Sequence, residues 1–266
     1  ILIDHCSVQW AVDENGEAFG EVTDTTFQWC IFAEGVREGH ESGPHSMGLI
    51  VGTGALNTRQ VTVSVHHCLF AHNGGRNPLV CANYSNGDPN ALADFRNNVV
   101  YNWSANNGAQ FGDGVHVNFI NNLYIMGPDT STPCVGWLSD KSMGTGIFVA
   151  GNQGPVAPDD RAGVWGVTFM DTDAWRSEQR IVPAEPADYG RDTPFDVPPV
   201  TTHATDQLSE LVLAGVGATR PGRDAVDARI INEARTLTGQ VGQGSGYPEL
   251  AAGTPPADTD RDGIPD

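Results

Sequence analysis

Residues Val61 to Val80 read VTVSVHHCLFAHNGGRNPLV. In the first half, Val61, Val63 and Val65 alternate with Thr62, Ser64 and His66, the period-2 pattern of a strand with one buried face. The second half turns at Asn73-Gly74-Gly75 and then presents one cation, Arg76, followed by Asn77-Pro78. Lys and Arg together number only 14 in this 266-residue chain, so an arginine between a Gly-Gly turn and a proline needs an explanation. On this segment alone the ordinary explanation is structural: Arg76 tethers the loop to an acidic neighbour.

The strand half is one copy of a repeat. Six segments share its shape: ILIDHCSVQW, TTFQWCIFAE, VSVHHCLFAH, ADFRNNVVYN, VNFINNLYIM and IFVAGNQGPV. Each has an alternating apolar strand, one small polar residue and a second apolar step. The small residue is in turn Cys6, Cys30, Cys68, Asn98, Asn122 and Asn152, at spacings of 24, 38, 30, 24 and 30. A coil of this length cannot bury its own apolar face and must stack on the next, which predicts an all-β chain: a right-handed parallel β-helix with C-terminal loops and one or two short helices. Equivalent positions then lie about 4.8 Å apart, the interstrand distance. Asn suits a stacked turn because it donates and accepts at once, and Cys fills the same small slot. Cys6, Cys30 and Cys68 are therefore expected as a ladder of free thiols rather than as disulfides. A sandwich would show turn signals at shorter, more even spacing.

Residues 1–152 are expected to form the coils, with earlier coils missing, and 153–239 a flank of loops and helices. Residues 240–266 are expected as a linker and an acidic tail. A further strand is expected at Val164–Phe169. One short helix is expected from a Thr205 cap to Gly215. A second should run from Asp224 to Thr238, with Val226, Ile230, Ile231 and Leu237 on one side and Gly239 as its stop. The longest excursions, Glu34 to Ser46 and Cys81 to Ala91, are where binding residues should collect. The tail DTDRDGIPD has the front half of an EF-hand-type loop, with acids at 258, 260 and 262 before Gly263; its plain alternative is a solvated acidic end.

The net charge of −19 argues against nucleic acid as a partner, and no apolar run is long enough to span a membrane. With 32 Gly and 17 Pro the composition is that of a turn-rich β protein. Opening inside a strand without an initiator Met, the chain reads as a fragment of a longer protein. An acidic protein that acts on a polyanion needs a cation between them.

Asp13, Glu14 and Glu17 cluster just before a strand, and hard oxygen donors in a loop suit calcium, although solvated acidic loops are common. His5, His66 and His67 read as strand residues, with His66 and His67 on opposite faces; His40, His45 and His72 read as loop residues. There is no HExxH motif, no Ser/His/Asp order, and no paired carboxylates that would argue hydrolysis.

Taken in order, Ile3-Asp4-His5, Thr26-Phe27-Gln28-Trp29, Gly48-Leu49-Ile50-Val51-Gly52, His66-His67 and Arg76-Asn77-Pro78-Leu79 resemble the pectate lyase superfamily. The run from Ala218 to Ile230 and the acidic tail resemble its bacterial members. The resemblance implies a parallel β-helix, secretion, and calcium-dependent β-elimination of polygalacturonate, an acidic polysaccharide, by a monomer. It also implies Arg76 as the base, a role that ordinary arginine basicity opposes and neighbouring cations ease. Asp13 and Glu17 fall at the family's acidic metal positions, with Glu14 as a substitute; the family's other calcium acids lie one coil earlier than Ile1. Arg37, His45, His67 and Asn77 are the implied substrate-binding residues. Two departures stand out. The family's lysine falls on Met47 or on Arg37, depending on where the register is anchored, and its second arginine falls on Cys81. Both departures bear on substrate preference. They leave open another uronate polymer, a non-catalytic polysaccharide-binding β-helix, or a β-helix glycoside hydrolase.

Overall fold

The structure, a computed structural model, describes residues 1–53, 60–82, 91–105, 108–112, 114–138, 144–155, 169–171, 186–242, 257 and 259. Its coils form three parallel sheets. Sheet 1 stacks Leu2–Asp4, Thr25–Gln28, Val61–His66, Ala91–Arg96, His116–Ile120 and Gly146–Ala150. Sheet 2 stacks the short strands Ser7–Gln9, Ile31–Ala33, Leu69–Ala71, Val99–Tyr101 and Leu123–Ile125. Sheet 3 stacks Glu14–Phe19, Met47–Thr53, Leu79–Ala82, Ala109–Gly112, Gly136–Leu138 and Phe169–Asp171. The chain is a right-handed parallel β-helix, as its repeat predicts.

The corner between sheets 1 and 2 follows from the repeat position. Cys30 N–H points at Cys68 Sγ (3.4 Å), Cys68 N–H donates to Asn98 Oδ1 (2.9 Å), Asn98 N–H to Asn122 Oδ1 (3.0 Å) and Asn122 N–H to Asn152 Oδ1 (2.8 Å). Each Asn thus satisfies a buried backbone donor of the preceding coil, which a buried turn must do. None of the five cysteines is in a disulfide. Just before the ladder position the backbone enters the left-handed region at His5, Trp29, His67, Asn97, Asn121 and Gly151, with φ between 47° and 68°. This conformation turns the chain from sheet 1 into sheet 2.

Inside the coils the apolar side chains stack along the axis. Phe32 lies on Phe70 (5.1 Å between centroids), Phe70 on Phe95 (5.7 Å) and Phe95 on Phe119 (5.8 Å). Each fully buried phenylalanine contributes about 1.5–3 kcal/mol before chain entropy is set against it. The strands Ile31–Ala33, Leu69–Ala71 and Val99–Tyr101 are buried throughout. Their outer face is covered by helices Leu208–Gly215 and Ala225–Thr236, which contribute Leu208, Val212, Leu213, Ile230 and Ile231 to a second core. Residues 191–203 cross sheet 1 as an extended strap. Asn118 exchanges two hydrogen bonds with Phe195, and Asn97 and Asn121 donate to the carbonyl of His203.

The structure departs from several expectations. Thr205 does not cap a helix: its hydroxyl donates to the carbonyl of Gly151, tying a short 3-10 turn to the last ladder corner. Helix Ala225–Thr236 starts as expected, with Asp224 accepting from Asp227 N–H (2.8 Å), but it ends at Leu237, whose φ is 58°. Leu237 is 53% exposed, so it leaves the apolar stripe. His66 and His67 do not face opposite ways. The strand ends at His66, and the left-handed His67 swings its ring back until the two Nδ1 atoms are 2.9 Å apart. A strand forms at Phe169–Asp171, and residues 164–168 lie outside the described ones, as do 83–90 and nearly all of the tail.

Candidate functional site

Sheet 3 brings Glu14, Met47 and Gly75 into one stacked row, and Arg76 follows Gly75 at the edge. Arg76 is itself left-handed, with φ 55°. Its carbonyl accepts from Leu49 N–H (2.8 Å), so the turn lies flat across the strand Met47–Thr53. Gly48 permits this approach, because a Cβ there would stand 2.4 Å from Asn77 Oδ1 and 2.8 Å from the Arg76 carbonyl.

Buried amides hold the turn from beneath. Asn73 Oδ1 accepts from Asn15 Nδ2 (3.0 Å) and Gly35 N–H (2.9 Å), while its Nδ2 donates to the Phe32 carbonyl (2.9 Å) and Asn77 Oδ1 (3.1 Å). Gly74 N–H donates to Ser46 Oγ (3.0 Å). With all four side-chain bonds made, Asn73 has a single low-energy placement, which fixes where Arg76 emerges.

Above this floor the Arg76 guanidinium is ion-paired with Glu14 and stands 3.5 Å from Asp13 Oδ1. Two histidines from the loop 34–46 close the other side of Asp13. His40 Nε2 is 3.5 Å from Oδ2 and His45 Nε2 is 3.6 Å from Oδ1, with the two rings 3.7 Å apart. Asp13 Oδ1 is buried and makes no hydrogen bond. The side chains of Arg76 and Glu14 are 26% and 9% exposed, so solvent screens this ion pair only in part.

The structure thus gathers Arg76, Asp13, Glu14 and His45 in one place. Glu17 lies further along its strand, exposed and in register with Ile50, away from the side chains around Asp13. Arg37 is exposed in the loop, where its carbonyl accepts from His45 N–H (2.9 Å). Met47 takes the sheet position between Glu14 and Gly75. Cys81 pairs with Gly52 on the same sheet. Asn77 is 1% exposed and turned inward to Asn73. His67 belongs to the corner between sheets 1 and 2, between Trp29 (4.6 Å, stacked) and His203 (2.9 Å between ring nitrogens). Burial, with His66 and His203 adding, pushes its imidazole down to about 4. Sequence reasoning did not single out His40, Asn15 or Asn73. His40 arrives on a loop without period, and nothing in the sequence marks the two amides as buried.

Oxygen donors for a hard cation are present in Asp13 and Glu14, and the unpartnered Oδ1 of Asp13 fits that use. They supply two carboxylates where calcium takes six to eight oxygens. A separate cleft lies between sheet 1 and the strap; among the described residues its lining includes Asp24, Asp94 and Asp196, with Asp94 ion-paired to Arg96.

A protein named probable pectate lyase C from Aspergillus terreus is 29% identical to this chain over 280 residues, covering 100% of the chain and 57% of its own length. Its namesake from Aspergillus flavus is 30% identical over 276 residues, again covering 100% and 57%. Over its whole length the chain is thus similar to proteins named probable pectate lyase C. A third such protein, from Emericella nidulans, is 30% identical over 273 residues, covering 100% and 56%. These relatives are fungal, whereas the late motifs resembled bacterial members. No protein-family model matches the chain. The chain spans little more than half the length of the relatives it matches.

Proposed function

We propose that the chain belongs to a secreted, monomeric polysaccharide lyase that cleaves polygalacturonate by calcium-assisted β-elimination, with neither nucleic acid nor membrane as a partner. The observation that carries this reading is the meeting of Arg76 with Asp13 and Glu14 at the edge of sheet 3. The names of the relatives point the same way. Among the described residues, no helix is long and apolar enough to cross a membrane.

In this reaction a base takes the proton on C5, next to the uronate carboxylate. The freed electron pair becomes the C4–C5 double bond, the C4–O bond breaks, and the leaving oxygen collects a proton from solvent. Arg76 is the base in this account. Glu14 holds its guanidinium, so Arg76 reaches the substrate only once Glu14 lets go. Asp13 and Glu14 are the chain's donors to calcium, which when bound acts as a Lewis acid on the uronate carboxylate and offsets the charge developing beside it. Asn73 and Gly48 keep the Arg76 turn in place.

Met47 and Cys81, where the family carries cations, favour a second reading: binding without cleavage, or cleavage of a uronate polymer with fewer free carboxylates. Incubation with polygalacturonate, with calcium or with a chelator, separates these readings. A calcium-dependent rise in ultraviolet absorbance from the unsaturated product supports the lyase. Polymer binding without product supports the second reading, and new reducing ends without that absorbance mean hydrolysis.

A further inference from the structure

We infer that Asp13, His40 and His45 form a site for a nitrogen-preferring divalent metal of the Zn²⁺ class, separate in chemistry from calcium binding. The ligand atoms of the three side chains all lie within 4.8 Å of one another. Ligands bound at about 2.0–2.1 Å to one tetrahedral ion stand about 3.4 Å apart. The observed separations are 3.5 Å from Asp13 Oδ2 to His40 Nε2 and 3.6 Å from Asp13 Oδ1 to His45 Nε2, so to share an ion the carboxylate must turn one oxygen towards both rings or bind through both oxygens.

Three features of the site favour this use. The buried Oδ1 of Asp13 has no hydrogen bond to surrender. His45 Nδ1 lies 2.8 Å from the carbonyl of Gly43, which keeps the ring proton on Nδ1 and leaves the Nε2 lone pair facing Asp13. The donor set of two imidazoles and one carboxylate suits zinc, nickel or cobalt, whereas calcium takes oxygen donors. A fourth position remains for water or substrate.

Two features oppose it and rank the ligands. Ser42 N–H donates to His40 Nδ1 (3.1 Å), so binding through His40 Nε2 moves the ring proton and gives up that exposed contact. His40 is thus the weakest of the three ligands. The Arg76 guanidinium lies 3.5 Å from Asp13 Oδ1 and repels a second cation, although Glu14 neutralises part of that charge. The inference does not rest on the lyase reading, because it concerns the protein without substrate.

The test titrates Co²⁺ and Zn²⁺ into the metal-free protein in the presence of excess calcium, following Co²⁺ visible absorption and its displacement by Zn²⁺. The expected result is one Co²⁺ per chain with an intense four-coordinate spectrum, displaced by Zn²⁺ and not by calcium. His45→Ala should lower affinity by more than the roughly 10–100-fold typical of losing an outer partner, and His40→Ala by less than His45→Ala. Circular dichroism of each variant separates loss of a ligand from loss of the fold. Absent binding, an oxygen-only six-coordinate spectrum, or an affinity unchanged in His45→Ala overturns the inference. Because Asp13 is shared with the proposed calcium site, lyase activity is measured with calcium alone, before Co²⁺ or Zn²⁺ is added, and its absence there counts against the lyase reading without touching this inference.

Discussion

Arg76 and Glu14 lie 62 positions apart in the sequence and form an ion pair at the edge of sheet 3. The pair exists because parallel stacking sets Glu14, Met47 and Gly75 in one row, and the residue after Gly75 inherits the neighbour two coils away. The structure shows the tether; in the proposed reaction Glu14 releases Arg76 when a cation takes its place.

If Glu14 both holds Arg76 and binds calcium, Glu14→Gln should raise the calcium concentration for half-maximal lyase activity by about tenfold or more. The initial rate as a function of calcium checks this. An unchanged half-saturation point would remove Glu14 from the metal site.

Asn73→Ala removes the Asn73 bond from the Gly35 N–H, the Phe32 carbonyl, Asn15 Nδ2 and Asn77 Oδ1 beneath the site, while Asn15 Nδ2 keeps its bond to the Ala33 carbonyl. The expected loss is about 2–4 kcal/mol of stability, read from the urea midpoint. A loss within a few tenths of a kcal/mol would mean that water replaces the amide freely.

Along the ladder, Asn122→Ala should cost about 2–3 kcal/mol, because Asn122 Oδ1 accepts from both Asn98 N–H and Asn98 Nδ2 while its own Nδ2 donates to the Phe95 carbonyl. Cys68→Ala should cost about 1 kcal/mol, since Sγ makes only weak sulfur contacts, accepting from Cys30 N–H (3.4 Å) and facing the His66 carbonyl (3.4 Å) and the Phe27 carbonyl (3.7 Å). Equal costs in paired denaturation curves would show that the ladder contributes by volume rather than by hydrogen bonding.

Much of the fold was legible because one residue in each coil must fit one slot; Cys and Asn at the ladder position announce the stacking. The corners were not legible. Left-handed positions are filled by His5, Trp29, His67, Asn97, Asn121 and Gly151; His, Asn and Gly tolerate this conformation but are as common elsewhere in the coils, so His66 and His67 read as an ordinary alternating pair. At the site, Asp13 and Glu14 read as clustered acids and Arg76 as a tether to an acidic neighbour, with their metal and base roles implied by the resemblance; strand register is what carries them together. His40 could not, because the loop 34–46 has no period and only its folded path sets that ring on His45. The resemblance implies Asn77 as a substrate-binding residue, yet a turn's polar side chain can as readily face inward, and here Asn73 draws it in.

The His67 imidazole, held down to about 4 by burial and by its neighbours His66 and His203, must stay neutral under the strap. The unfolded chain binds its proton at the ordinary value near 6.5, so stability should fall as pH drops from about 6.5 towards about 4. Thermal midpoints across that range check the sign. His67→Gln should flatten the slope, and an unchanged slope would place the titrating group elsewhere.

The most direct measurement is the rate of unsaturated product formed from polygalacturonate with calcium, compared between the protein and Arg76→Ala at matched thermal stability. Loss of the base predicts a fall of at least about a hundredfold in the variant with its unfolding transition retained. A variant that forms unsaturated product at the parent rate would contradict Arg76 as the base.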